Sequence, residues 1–287
     1  MCQNAQESVL YIALDYPLKE SHWQGYNQIC EYLPKIFGFK EVTVISRTTN
    51  YGPNKNFESA ADLLFEKYPY IIFSEDDNVF SPDFLNFVNR GLEIYQDRVD
   101  IFSISGYQYP IDIPHDYNQD IYLWQGFSAW GVGIWRDKWK KVPWEKDESM
   151  KTTKRFLKRY KSIYNYHKVA NHYIPAKLLM IEQNKIHGDG IVCLHQFLNN
   201  MYSVFPIVSR IRNMGHDGSG TGCEYMENDI FAQQEVYSGE IGQYILPADL
   251  QPNKKINRVL AQYFRRPLKS KIKSLVKILL LNAGLWP

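Results

Sequence analysis

Over the first third of the chain, short apolar runs that end abruptly in polar clusters alternate with segments of helical periodicity, and this alternation constrains the fold more than any other feature. Residues 9–14 are apolar and stop at Asp15-Tyr16-Pro17, after which Trp23, Tyr26, Ile29, Cys30 and Leu33 recur at helical spacing until Pro34 and Gly38 interrupt them. Residues 42–45 form a second apolar run, followed by a polar loop over 46–56 and a predicted helix over 57–67. A third run, Tyr70-Ile71-Ile72-Phe73, leads into Glu75-Asp76-Asp77. Strands that alternate with helices predict an α/β fold with a mostly parallel sheet covered on both faces. Ligands of such sheets gather at the carboxyl ends of the strands.

Three adjacent carboxylates at a strand end repel one another and lose hydration where they are partly buried, so a cation is their simplest stabilising partner. Carboxylate oxygens suit Mg2+ or Mn2+, ions that commonly fill their remaining positions with phosphate oxygens. A solvated acidic loop is the competing explanation. Asp83 is accounted for by a helix start at Ser81-Pro82, with Ser81 as N-cap, but Glu75 to Asp77 precede that cap. The apolar spacing of Phe84, Phe87, Val88 and Leu92 marks the inner face of the following helix as core. At the ends of the earlier strands, Asp15 is placed to accept from a base or ribose hydroxyl, and Arg47 and Lys55 to meet phosphate charge.

A formal net charge of +2 on 287 residues gives no support to a nucleic-acid partner, and the length suits one main domain with a C-terminal extension. The boundary is placed at 1–245 and 246–287. Cys2, Cys30, Cys193 and Cys223 have no metal-binding spacing, which argues for free thiols in a reducing, cytoplasmic setting. No signal peptide and no apolar stretch of about 20 residues is evident.

The second half is less regular. Residues 102–107 read as a strand, 108–120 as a covering loop with Asp112, Asp116 and Asp120 at its solvated surface, and 145–168 as one basic helix with Phe156, Leu157, Tyr160 and Ile163 inward. Gly188-Asp189-Gly190 offers an acid between flexible residues, open to two readings: a general base, or the cap of a helix over 192–198. Asp137 is the reserve candidate for the base. Trp130 is either a sugar platform or a core residue. His216 lies in a Gly-rich loop after a strand over 202–208.

Five ordered segments carry a resemblance to a known family: residues 10–17, 47–56 and 73–84, Phe127-Ser128-Ala129-Trp130-Gly131 with Trp135, and Asn213-Met214-Gly215-His216-Asp217-Gly218-Ser219-Gly220. Together they resemble glycosyltransferases of the nucleotide-diphosphosugar transferase (GT-A) fold, close in pattern to bacterial surface-polysaccharide transferases and more distantly to N-acetylglucosaminyltransferases. The resemblance implies a Rossmann-like three-layer α/β/α sandwich and a metal-dependent transfer, with inversion, from a nucleotide-diphosphate sugar to a polysaccharide or lipid-linked acceptor.

It also implies roles at the matching positions. Asp77, with Glu75 and His216, would hold Mn2+ or Mg2+, and Asp76 would lie near the sugar or ribose. Asp15, Arg47, Asn54 and Lys55 would line the donor, Trp130 and Gly131 the sugar and acceptor, and Asp189 would be the catalytic base. The family begins with a further strand, central in the sheet, ahead of the one that ends in the early Asp. Only eight residues precede Val9, so the resemblance implies that this strand is lacking and that two sheet edges are left unpaired. Competing classes are a non-catalytic carbohydrate-binding or scaffold protein and a sugar-nucleotide pyrophosphorylase, whose Gly-rich phosphate loop is not seen.

In residues 265–281 cations interleave with Leu268, Ile272, Leu275, Val276 and Leu279 at helical spacing. This pattern suits a basic amphipathic helix on an anionic membrane face, with Trp286 near its end, so a peripheral place on the inner membrane face is the extended expectation. Docking on the domain or on another subunit are the alternatives.

Overall fold

A computed structural model describes residues 5–169, 188–218 and 225–285. Cys2, Cys223, Ser219, Gly220 and Trp286 lie outside the described residues. The chain is an α/β protein whose described strands form a five-stranded sheet and two two-stranded ones. β1 (Val9–Leu14) and β2 (Glu41–Ser46) pair in parallel, in register from Val9 opposite Glu41 to Leu14 opposite Ser46. The five-stranded sheet has the order β3 (Tyr70–Phe73), β7 (Val132–Trp135), β5 (Ile101–Ser105), β8 (Tyr202–Pro206), β6 (Ile121–Trp124). β4 (Asn78–Phe80) pairs with β9 (Ile211–Asn213).

The sheet is mixed rather than mostly parallel. β5 and β8 pair in parallel, whereas β7 runs against both β3 and β5, and β6 runs against β8. Strand direction does not follow from the alternation of apolar runs and helices, and β6 and β7 lie in the irregular second half.

Burial on both faces explains why these strands read as continuous apolar runs. In β7, Val132 and Ile134 enter one core with Phe65, Phe102, Trp139 and Phe156, while Trp135 enters the other with Phe87, Val88, Ile104 and Leu123. Gly133 shares that second face, and a Cβ there would lie 2.5 Å from Val88, so the helix above can press directly on the strand. That helix, α3 (Phe84–Ile94), buries Phe84, Phe87, Val88, Gly91 and Leu92, the expected stripe. The opposite face is covered by α2 (Gly52–Lys67), α4 (Arg136–Trp139), α5 (Lys146–Leu157), α6 (Tyr160–Lys168) and α7 (Asp189–Leu198). Residues beyond 245 share these cores. Leu246 and Leu250 join the α3 side, Ile256 and Leu260 of α8 (Lys254–Tyr263) pack on Tyr122 and Phe205, and α9 (Leu268–Asn282) inserts Ile278 against the other face.

No ladder joins β1 to β3 among the described residues, and α1 (Trp23–Tyr32) buries none of its side chains. An isolated pair of strands is marginal by itself. Here α2 ties it down: Asn56 Nδ2 donates to the Ala13 carbonyl at 2.8 Å, and the Tyr11 and Tyr68 hydroxyls are 3.1 Å apart.

Three local expectations are corrected. α3 starts at Phe84, not at Pro82, because Asp83 turns inward: its carboxylate lies 3.5 Å from the guanidinium of buried Arg210 and accepts the Gly242 N–H. The basic segment is two helices, α5 and α6, which break at Lys158-Arg159 and leave Tyr160 exposed while Phe156, Leu157 and Ile163 are buried. The predicted 57–67 helix begins five residues earlier, since Asp15 caps its first turn.

Candidate functional site

The Glu75-Asp76-Asp77 triplet is the turn between β3 and β4, and the two pairings beside it decide what surrounds each carboxylate. Phe73 opposes Val132 across β3 and β7, which places the 127–131 segment next to the turn. Trp130 Nε1 accordingly donates to Glu75 Oε2 at 3.0 Å. Asn78 opposes Asn213 across β4 and β9, so the loop after β9 folds over Asp77. Asn213 Nδ2 donates to Asp77 Oδ1 at 2.8 Å, and Met214 N donates to the Asp77 carbonyl at 2.8 Å. A Cβ at Gly215 would stand 2.0 Å from Asp77 Oδ2, so any larger residue there would displace that carboxylate.

His216 follows this glycine and is buried. Its ring stacks on Phe231 at 4.6 Å and meets Trp130 edge-on at 6.0 Å. Among the described residues Nδ1 has no hydrogen-bond partner, and a carboxylate oxygen of Asp229 lies 3.8 Å away. Asp189 is the first residue of α7, reached through Gly188 at φ 57°, and its carboxylate accepts the Ala129 N–H. Strand pairing and the start of α7 therefore bring Glu75, Asp77, Asp189 and His216 together from distant parts of the chain.

Among the described residues, His216 beside Asp77 is the basic group that opposes the charge of this cluster. Burial and the nearby Glu75 push the Asp189 carboxyl up to about 7. Glu75 is exposed, yet partial loss of hydration beside Trp130 and the charge of Asp77 raise its carboxyl, while the hydrogen bond from the Trp130 indole opposes the rise. Asp77 is raised by burial and by Asp76, against the Asn213 hydrogen bond and the charge of His216. Carboxylates that raise one another in this way are stabilised by a cation placed among them. Among the described residues no three His, Cys, Asp or Glu side chains converge into a complete metal-ligand set. A hard divalent ion can bind through one or two carboxylates plus water or phosphate oxygens, and Glu75 and Asp77 are the carboxylates this turn offers for such a partial set.

The residues at the ends of β1 and β2 form a second group. Asp15 accepts the backbone N–H groups of Tyr16, Tyr51 and Gly52, each at 2.8 Å, and so closes the start of α2. Arg47 Nε donates to Asn56 Oδ1 at 2.8 Å and Nη2 to Ser59 Oγ at 2.7 Å. Its guanidinium lies 4.8 Å from the Tyr51 ring centroid, and Lys55 Nζ lies 4.4 Å from the same centroid. Asn54 and Lys55 are exposed in the first turn of α2. Phe57 links this helix to the carboxylate turn, with its ring 4.6 Å from that of Phe73.

Trp130 is half-buried against Tyr107 and Phe231 while its N–H holds Glu75, so it packs and positions at once. Gly131, at φ 67°, has a packing reason, since a Cβ would meet Ile211 at 2.1 Å. Asp137 sits apart at the surface with Lys138 and Lys141. Sequence reasoning gave no role to Asn213, the Ala129 N–H or the Phe231 and Asp229 pair behind His216. Asn213 stood two residues from Gly215 in a singled-out segment, the one signal available.

No protein-family model matches the chain, and no curated protein is similar to it.

Proposed function

We propose that the chain is a metal-dependent glycosyltransferase that moves a sugar from a nucleotide diphosphate to a saccharide or lipid-linked acceptor, with inversion, and that its fold is a variant of the GT-A sandwich. The observation that carries this reading is the convergence of Asp189, with its carboxyl near 7, on the raised carboxyls of Glu75 and Asp77 and on His216. An acid held near neutrality is suited to take a proton, and paired carboxylates beside it are suited to a diphosphate-bound cation.

In this mechanism Asp189 accepts the acceptor hydroxyl proton as that oxygen bonds to the anomeric carbon, and the bond from that carbon to the diphosphate oxygen breaks. A divalent ion, Mn2+ or Mg2+, held through Asp77 with Glu75 and His216, would supply positive charge for the leaving diphosphate. Trp130 and Asn213 fix the two carboxylates through their N–H donors, so the site needs little rearrangement when charge develops. Asp15 and Arg47 build the loop that presents Asn54 and Lys55, and Lys55 supplies a cation toward the donor. Asp76, exposed in the turn, is left to meet sugar or ribose hydroxyls.

The test is a screen of nucleotide sugars for Mn2+-dependent release of nucleoside diphosphate. Turnover of at least one donor, lost in Asp77→Ala and in Asp189→Asn, is expected. Turnover that survives Asp77→Ala removes the metal role, and the absence of turnover with every donor in Mn2+ removes the transferase reading.

A further inference from the structure

The C-terminal helix α9 presents two faces with different fates. Ser274 and Ile278 are buried, Ile278 among Phe156, Leu157, Ile163 and Tyr166. Asn282 Nδ2 fastens the end of the helix by donating to the Leu157 carbonyl at 2.9 Å and to the Tyr160 hydroxyl at 3.2 Å. The other face stays apolar although it meets solvent: Leu268 is 72% exposed, Ile272 53%, and Leu275, Val276 and Leu279 48% each. Their spacing of four, three and four residues from Leu268 through Ile272 and Leu275 to Leu279 makes one continuous stripe. At about 100° per residue, Lys269 and Lys273 border the stripe on one side and Lys271 on the other.

The segment from Arg265 to Leu285 holds six cations, Arg265, Arg266, Lys269, Lys271, Lys273 and Lys277, and no carboxylate. The adjoining α5 adds an open groove of about 590 Å³ lined by Lys146, Lys151, Lys154, Arg155 and Lys158 with Asp147 and Met150. Among the described residues, docking on the domain is accomplished by the Ile278 face and leaves the stripe exposed. Covering it with a second copy would bring two such cation sets together, a juxtaposition of like charge that costs several kcal/mol. An anionic surface with an apolar interior satisfies both features at once.

We propose that the outward face of α9 is a membrane-binding surface that lays Leu268, Ile272, Leu275 and Leu279 into the interface of an anionic bilayer, with Lys269, Lys271 and Lys273 at the headgroups. No helix among the described residues is long and apolar enough to cross a membrane, so α9 lies on the surface. This inference stands apart from the transferase reading, since it needs neither nucleotide nor metal.

The experiment is co-sedimentation of the full chain with phosphatidylcholine vesicles that contain or lack phosphatidylglycerol, at low and high salt. Wild type is expected to pellet with the anionic vesicles at low salt and to be released by high salt. Replacing the three lysines by Gln should weaken binding on the order of a hundredfold. Ile272→Gln with Leu275→Gln should abolish pelleting while leaving the circular dichroism spectrum unchanged, because both positions are exposed. Equal binding to neutral vesicles, unaltered binding in either variant, or a concentration-dependent dimer that Leu275→Gln dissolves would each overturn the proposal.

Discussion

Asp189→Asn should make the protein more stable while removing its activity, and the gain should depend on pH in a stated direction. The substitution keeps the shape of the side chain and an oxygen to accept the Ala129 N–H, so what it removes is a charge held against burial and against Glu75. A carboxyl raised from 3.8 to about 7 in the folded chain binds its proton more tightly there than in the unfolded chain. Between those values the folded state therefore carries the extra proton, and stability falls as pH rises through that window and levels off above it. The gap of about three units, at about 1.4 kcal/mol each, bounds the effect at about 4 kcal/mol near pH 8, and relaxation of the site brings the expected gain to about 2 kcal/mol. Near pH 5 only about a third of the gap is expressed, so the gain should fall below about 1 kcal/mol. Urea unfolding of both proteins at the two pH values, with a chelator present so that no divalent ion alters the balance, measures this directly. Equal stability at pH 8, or the same gain at both pH values, would refute the charge-strained carboxyl on which the assignment of Asp189 depends.

Gly215→Ala should drive a methyl group toward Asp77 Oδ2, which a Cβ would approach to 2.0 Å, and so displace the carboxylate. Overpacking of this kind costs about 1–3 kcal/mol, and the expected readout is at least a tenfold loss of Mn2+ affinity by calorimetry, with the overall fold intact by circular dichroism. Arg210→Ala should destabilise the protein by about 3–5 kcal/mol, because it leaves Asp83 buried without its partner and empties the space between Phe87 and Tyr237. Urea unfolding checks this, and a loss below about 1 kcal/mol would show that the pair is dispensable.

The first half of the fold was legible because its signals are local: apolar runs, helical spacing and polar loops at strand ends placed β1, β2, β3 and the buried stripe of α3. Strand direction was not, since β6 and β7 reverse without any residue pattern that marks the reversal. The break between α5 and α6 falls at Lys158-Arg159, where neither Gly nor Pro announces it. The acidic turn, Asp189 and His216 could be picked out as candidates from their neighbours in sequence. Their supports could not, because Trp130 reaches Glu75 across 55 positions and Asn213 reaches Asp77 across 136. Asp15 and Arg47 show the complementary limit: residue type and position suggested ligand contacts, and the structure spends their hydrogen bonds on the start of α2. Asp83, which the helix start explains in sequence, forms a buried pair with Arg210 in space.

The central claim is that Glu75, Asp77 and His216 hold a divalent ion against a nucleoside diphosphate. Isothermal titration of UDP and GDP into the full chain, with Mn2+ and then with chelator, addresses it without need of an acceptor. One of the two nucleotides should bind only with Mn2+, and Asp77→Asn should weaken that binding at least tenfold. Nucleotide binding that is indifferent to Mn2+ and to Asp77→Asn, or no binding of either nucleotide with Mn2+ present, would contradict it.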